Sequence, residues 1–532
     1  MEAALLGLYT AVAGWLAYTH AAWADEAQAW LIARDCTLGQ ILFERMHYEG
    51  TPGLWHALLW TLTRLGCPYG AMHVLSVAAG AAAAYLVLRY APFPAPVRWL
   101  LPFSFAPLFQ TAVVARSYSL VPVLVFGLCM AMLALRPRPV LVAVLAGLLA
   151  NTSLIAFCLT MGLVGYYVFH LRRLGTRPEK KQLWTAGAVL AVLGLFAIYT
   201  AIPAPDQSTG EAHGVLSNHT VGRVITAITG IAQPKNIAPK KTLHVAQALA
   251  QQMPAGYQRR LAAWLQPANE HPSGAAKLTL STFAWLSLLF YPVSSLNLLA
   301  LAFYVALIAW LTALQRWSLV LPLVFVLLGA KFLPFSEHHS SVLWAGLAAT
   351  LWLAVAQADP RKNPRATAVF YLLLLATLVE QTAWTATAAL SPTPFDGGRQ
   401  AALFLTQQAR GKTVAGLTSD TCAVEPYAHL SFVNMRSSYW PWQLGLNAEY
   451  RLPDAFAQRP EFVLVSRDYS GNVLWRNQIV PIKPAGVPLQ IDLVTDALHA
   501  QGYRETQKFC GRQPAHFGDS VTDCTAVFEP AR

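Results

Sequence analysis

Asp25 and Glu26 stand side by side in the stretch HAAWADEAQAWLIARD, directly after an apolar run at 3–22. Paired carboxylates at the edge of such a run suit proton abstraction from a hydroxyl, one acid as general base and the other tuning it or holding a divalent cation. The same pair also suits the first turn of a helix, where the dipole favours acids. From position 26 on, Glu26, Trp30 and Arg34 fall on one helical face, so a carboxylate, a ring and a guanidinium project together. Slightly later, MHYEGTPGLW carries His47 and Glu49. Two apart in an extended chain, they point the same way, towards a donor phosphate, a metal or an interfacial turn.

Two further stretches carry cations. In VVARSYSL, Arg116 and Tyr118 sit between apolar runs. A guanidinium offers forked hydrogen bonds to a phosphate or diphosphate, or it snorkels to lipid headgroups. Tyr118 orients the phosphate or anchors at the interface. KFLPFSEHHSSVLW holds Lys331, Glu337, His338 and His339. Pro334 ends one helix and Ser336 caps the next. His338 and His339 then fall in a first turn whose backbone N–H groups favour anions. Adjacent histidines diverge on a helix, so one serves while the other packs. If a metal binds, Asp25, Glu26 and Glu49 are its candidate ligands.

These residues need a frame, and the composition describes it. The chain has 532 residues, 55% hydrophobic and 12% charged, against about a quarter charged in soluble domains. It reads as an α-helical polytopic membrane protein. Apolar runs at 3–22, 70–89, 98–114, 117–135, 139–155, 157–171, 183–203, 277–315, 318–334, 339–357 and 366–390 predict about eleven to thirteen crossings. The run at 52–65 is read as re-entrant or lateral. The first run has neither a basic start nor a cleavage site, so it reads as a retained helix. The net charge is +12, and the positives flank apolar runs, as in HLRRLGTRPEKK and DPRKNPR. That is the pattern of cytoplasmic loops, and no nucleic-acid motif is present. The loops 23–51, 115–117, 335–339 and 204–276 then share the opposite side. Ionisable groups gathered there predict a cavity.

After Ser391 the composition shifts to a small α/β domain. GRQAALFLTQQARG and TDALHAQGY predict helices. KTVAGLTSD and EFVLVSRD predict buried strands, and YRETQKFC with DCTAVFEP a closing pair. No Gly-rich phosphate loop occurs. Cys510–Cys524 is the first expectation for a disulfide, across those two strands, with Cys36–Cys67 second. SSYWPWQ (437–443) offers aromatic stacking to a glycan or ordinary packing.

The order of Asp25-Glu26, HYEGTPGLW, ARSYSL and HHSSVLWAGLAATLWLA resembles the GT-C glycosyltransferases. These polytopic enzymes take a sugar from a polyprenyl-phosphate donor on the outer membrane face. Protein O-mannosyltransferases and the aminoarabinose transferase acting on lipid A are members. Each motif is short; their order along the whole architecture carries the likeness. It implies a GT-C-like membrane domain over 1–390 and a periplasmic or extracellular domain over 391–532, in a bacterial inner membrane. It implies Asp25 as catalytic base and Arg116 as ligand of the donor phosphate. Two departures stand out. Val114 occupies a place where many members carry an acid, and Asn151-Thr152-Ser153 stands where some carry a histidine, so any second acid is Glu26 or Glu49. The expected reaction is inverting transfer to an acceptor hydroxyl on a glycan, lipid or protein. Arg116, Tyr118, Lys331, His338 and His339 bind the phosphate, and His47, Glu49 and Arg34 assist or meet the acceptor. Two other classes remain open. An O-antigen polymerase or ligase would rely on loop cations such as Arg223, Lys235 or Lys240. A lipid or glycan transporter would show internal repeats and mid-membrane charges.

Overall fold

The computed structural model describes residues 1–175, 178–202, 204, 289–290, 292–294, 296–314, 317–333, 339–358, 363–390, 392, 394–416, 419–428, 430, 432–433, 459–468, 474–475, 478–479, 498–511 and 523–531. Nearly all of the expected loop 204–276, the 277–288 part of an apolar run and the SSYWPWQ stretch lie outside them.

Helices dominate. The first part holds α1 (Glu2–Thr19), α2 (Ala24–Asp35), α3 (Leu38–Gln40), α4 (Met46–Glu49) and α5 (Leu54–Arg64). Then come α6 (Ala71–Tyr90), α7 (Ala95–Leu100), α8 (Val121–Met132), α9 (Pro139–Ala150), α10 (Leu154–Leu174) and α11 (Lys180–Ala201). Further along the chain follow α12 (Asn297–Leu314), α13 (Leu321–Phe332), α14 (Ser340–Val355) and α15 (Pro364–Leu390). Among the described residues, 4 helices are long and apolar enough to cross a membrane: α6, α10, α11 and α15. The others are shorter or less apolar; α1, α2 and α5 pack in separate clusters, while α8, α9, α12, α13 and α14 share one apolar core with α6, α10 and α15. Within it Trp310 of α12 stacks on Phe370 of α15, with ring centroids 4.3 Å apart.

Prolines explain where the expected runs break. The run at 98–114 is not one helix. It is divided into α7, a 3-10 turn at Leu101–Phe103 and a π-helix at Ala106–Val113. Pro102 and Pro107 lack the N–H that a continuous α-helix requires. The run at 117–135 likewise starts as a 3-10 turn, Ser117–Leu120, before α8. The short helix α5 has 11 residues, about 16 Å at an α-helical rise, too little for a bilayer core.

The π-helix lies against α6 at Gly80. A Cβ there would meet the Ala112 Cβ at 2.5 Å and the Tyr9 hydroxyl at 2.8 Å. Wider π turns leave main-chain carbonyls poorly paired. Here the Ser76 hydroxyl donates to Ala112 O at 2.9 Å and also lies 2.9 Å from the Ser119 hydroxyl.

The C-terminal part opens with α16 (Gly398–Gln408). It adds α17 (Glu425–Ala428) and strands β1 (Val414–Gly416), β2 (Phe462–Asp468), β3 (Leu474–Trp475), β4 (Gln478–Ile479), β5 (Tyr503–Cys510) and β6 (Asp523–Pro530). The main sheet runs β1-β2-β6-β5. β1 and β2 are parallel, and β6 is antiparallel to both its neighbours. Cys510 and Cys524 face each other in register and are disulfide-bonded. The second expected pair does not form. Neither Cys36 nor Cys67 is disulfide-bonded, and Cys36 is buried in a cluster with Leu31, Ile41 and Cys422.

Gly80→Val is expected to destabilise the protein by about 1–3 kcal/mol through overpacking. Gly7→Ala in α1, where a Cβ meets nothing within 4 Å, serves as the control and is expected to cause no loss of stability, since Ala favours a helix over Gly. Thermal denaturation in detergent measures both.

Candidate functional site

The site is built around one buried carboxylate. α1 ends at Thr19, and three non-helical residues lead to Trp23, which precedes α2. Glu26, in the first turn of α2, is fully buried. Its Oε2 accepts a hydrogen bond from the His20 ring at 2.7 Å and from the Trp23 N–H at 3.3 Å. Its Oε1 accepts from the Ala115 N–H at 2.6 Å, and the His73 ring lies 3.9 Å away. Burial alone raises a carboxyl pKa. Here the His20 charge and hydrogen bond, His73 and the Ala115 N–H outweigh it and hold Glu26 low. One side chain thus ties together the end of α1, the start of α2, α6 and the loop 113–116.

That loop presents Arg116. Its N–H approaches the Ser119 hydroxyl at 3.3 Å, fixing the turn into Ser117–Leu120. Next to Glu26 in sequence, but turned about 100° around the helix, Asp25 pairs directly with the Arg116 guanidinium. The two groups stay 21% and 18% exposed, so solvent or a ligand reaches them, as it does not reach Glu26. The guanidinium carbon lies 5.7 Å from the Trp23 ring centre and 5.4 Å from that of Tyr118. Such ring faces attract cations. The Tyr118 ring in turn meets His339 edge-on at 5.7 Å. Chemically, this is a partly open carboxylate–guanidinium pair with aromatic walls. It offers a carboxylate that can accept a proton and a guanidinium that can hold an anion, backed by buried rings.

Not every expected site residue joins them. His339 precedes α14 rather than lying in its first turn. His338 and Glu337 lie outside the described residues, as do Pro334, Ser336 and the loop cations Arg223, Lys235 and Lys240. Lys331 belongs to the last turn of α13; its side chain is outside the described set. Arg34 turns to the C-terminal part. Its two terminal nitrogens reach the Glu425 carboxylate at 3.2 and 3.1 Å, and its Nε reaches Asp35 at 2.6 Å. Arg34 therefore docks the small domain on α2. Glu49 accepts from the Gln28 amide at 3.1 Å. The His47 Nδ1 lies 2.6 Å from Ile202 O, joining α4 to the end of α11. Among the described residues, no group of three or more His, Cys, Asp or Glu is placed to hold a metal ion.

Sequence reasoning missed four residues. His20 and His73 flank Glu26. Asp396 is buried next to this cluster and accepts a hydrogen bond from the Gly398 N–H. Burial pushes its carboxyl up to about 7; the Gly398 N–H and His20 pull it down, and Glu26 adds to the rise. His56, on α5, lies within electrostatic reach of Arg116. The available signal was a polar residue inside each apolar stretch, LAYTH, AMHVL and LWHALLW.

Two outcomes follow. Glu26→Gln removes one partner of a buried pair and is expected to lose about 3 kcal/mol of stability at neutral pH. The contribution of this carboxylate is present above the ordinary glutamate pKa and vanishes as pH falls through its lowered one. Asp396 works with the opposite sign. Its raised pKa makes stability fall as pH rises from the ordinary aspartate range to about 7. Asp396→Asn is expected to remove that decline in melting temperature measured across pH 4–8.

No protein-family model matches this chain, and no curated protein matches it.

Proposed function

We propose that the protein is a membrane glycosyltransferase that moves a sugar from a polyprenyl-phosphate donor to an acceptor hydroxyl, with inversion. The observation that carries this reading is the meeting of Asp25 and Arg116 in one partly open site between Trp23 and Tyr118. It is supported by the apolar helices around the site, which suit a lipid-linked donor, and by the resemblance of the motifs to GT-C enzymes.

In the unliganded protein Arg116 neutralises Asp25. A donor phosphate competes for the guanidinium, which forks to phosphate oxygens. Its arrival releases the Asp25 carboxylate to accept a hydrogen bond from the acceptor hydroxyl. The acceptor oxygen then attacks the anomeric carbon, and its proton passes to Asp25. The bond from that carbon to the phosphate oxygen breaks, its electron pair remaining on the phosphate. Arg116 stabilises the charge that grows there. The buried rings of Trp23 and Tyr118 hold the guanidinium in place. Glu26 positions both partners by fixing α2 and the 113–116 loop. A divalent cation, if bound, would supply further stabilisation of the leaving phosphate, and the partly exposed Asp25 carboxylate would be its ligand.

The site is assigned to the outer face of a bacterial inner membrane, with the C-terminal domain periplasmic. The disulfide Cys510–Cys524 supports an oxidising compartment for that domain.

Asp25→Asn keeps the shape and removes the base. General-base catalysis contributes about 10²–10⁴-fold, so transfer of labelled sugar in proteoliposomes should fall at least about a hundredfold. Membrane insertion and melting temperature should survive. Undiminished turnover in this variant would strip Asp25 of the role.

A further inference from the structure

His56 is a buried group without an evident purpose. It lies on α5, a helix whose other buried residues, Trp55 and Leu59, are apolar. The side chain is 5% exposed, yet among the described residues neither ring nitrogen has a hydrogen-bond partner. The Tyr118 hydroxyl, also buried, lacks one as well. A native core seldom leaves such groups unpaired. Both belong to the surroundings of one cation. Tyr118 lies under the Arg116 guanidinium, and α5, which carries His56, packs against the Ser117–Leu120 turn that directly follows Arg116.

We propose that His56 is a ligand-binding residue of the Arg116 site, donating a ring N–H to an oxygen of a bound phosphate group while the Tyr118 hydroxyl donates to another. This rests on the reading that Arg116 takes a donor phosphate, and it names a residue that neither the motifs nor the family resemblance marked.

The chemistry of the ring suits the task. Burial, and then the Arg116 charge, push the His56 pKa down to about 3, so the imidazole is neutral and carries one N–H donor. A second permanent cation beside Arg116 would repel it while the site is empty. A neutral donor does not, yet it adds a hydrogen bond once an anion arrives. The unpaired nitrogens then have a reason: they are satisfied only in the liganded state. A site kept ready in this way sacrifices some stability of the free protein for binding.

This gives a signature that a merely structural histidine lacks. His56→Phe preserves volume and removes both nitrogens. The full-length protein in detergent should melt at the same temperature or higher without ligand, because an unsatisfied buried group has gone. Its affinity for farnesyl phosphate should nevertheless fall about tenfold or more, the scale of a hydrogen bond to a charged group. Farnesol, which lacks the phosphate, should bind neither protein at this site. Inorganic phosphate separates the sources. Binding that depends on His56 for phosphate alone assigns the site to the free ion as well as to the lipid headgroup. Such dependence for farnesyl phosphate only assigns it to the lipid.

Equal farnesyl phosphate affinity in wild type and His56→Phe overturns the proposal. If that variant fails to fold, nitrogen-15 spectra of wild-type histidines decide. Farnesyl phosphate must shift a His56 ring resonance, identified by its loss in His56→Asn, and an unmoved resonance refutes the role. Failure of the wild type to bind either phosphate overturns this inference together with the donor half of the proposed reaction. His56-dependent binding of farnesyl phosphate without any sugar transfer leaves the inference standing and removes the transferase reading alone.

Discussion

A single carboxylate, sealed from water, organises the centre of this molecule. Glu26 satisfies donors from α1, α2 and the 113–116 loop at once. A buried charge is tolerated only when it is paired and hydrogen-bonded, so these segments are held to one geometry. Moving the loop outward would leave the Ala115 N–H and the carboxylate exposed to each other's absence inside an apolar surround. The placement of Arg116 opposite Asp25 is therefore a consequence of an interaction that neither residue makes. The adjacent acids divide the work. The helix turn between them puts one inside the protein and leaves the other at a partly open surface.

The π-helix before Arg116 belongs to the same scheme. Its irregular backbone is anchored from α6 by Ser76 and by the close approach at Gly80. His73, on the same helix, lies 3.3 Å from Val113 O. A regular helix through 98–114 would carry the chain past the point where it turns back to deliver the guanidinium. Irregular backbone within an apolar bundle is viable where side chains or neighbouring main chain satisfy it, and here Ser76, Ser119 and His73 do so.

Much of this could be read from the sequence, for a physical reason. Asp25, Glu26 and Arg116 stood out because ionisable groups beside apolar runs are costly and so need partners. The strands of the C-terminal sheet were visible in their short apolar patterns, and the Cys510–Cys524 pairing in their expected adjacency. Other features left no such trace. Nothing in the order Asp25-Glu26 tells which carboxylate is closed off, because that depends on where α6 and the 113–116 loop lie. Arg34 shares a helical face with Glu26 in periodicity, yet Glu425, 391 residues away, takes it. His56 looks like a core residue within LWHALLW, and only the position of Arg116 gives it a chemical neighbour. The breaks within 98–114 were obscured because hydropathy sees apolar residues and not missing N–H groups.

The join between the helical part and the sheet is tight. Phe395 packs its ring 4.8 Å from that of His20, and Asp396 is buried beside it. A side chain on Gly397 would run into the Phe509 carbonyl, and one on Gly511 into the main chain of Phe395 and Asp396. The strand that carries the disulfide thus presses directly on the segment that roofs the His20–Glu26 pair. The sheet is consequently no detachable appendage. Taking the sheet away would remove the Phe509 and Gly511 main chain that backs residues 395–398, and with it the support behind the ring that covers His20.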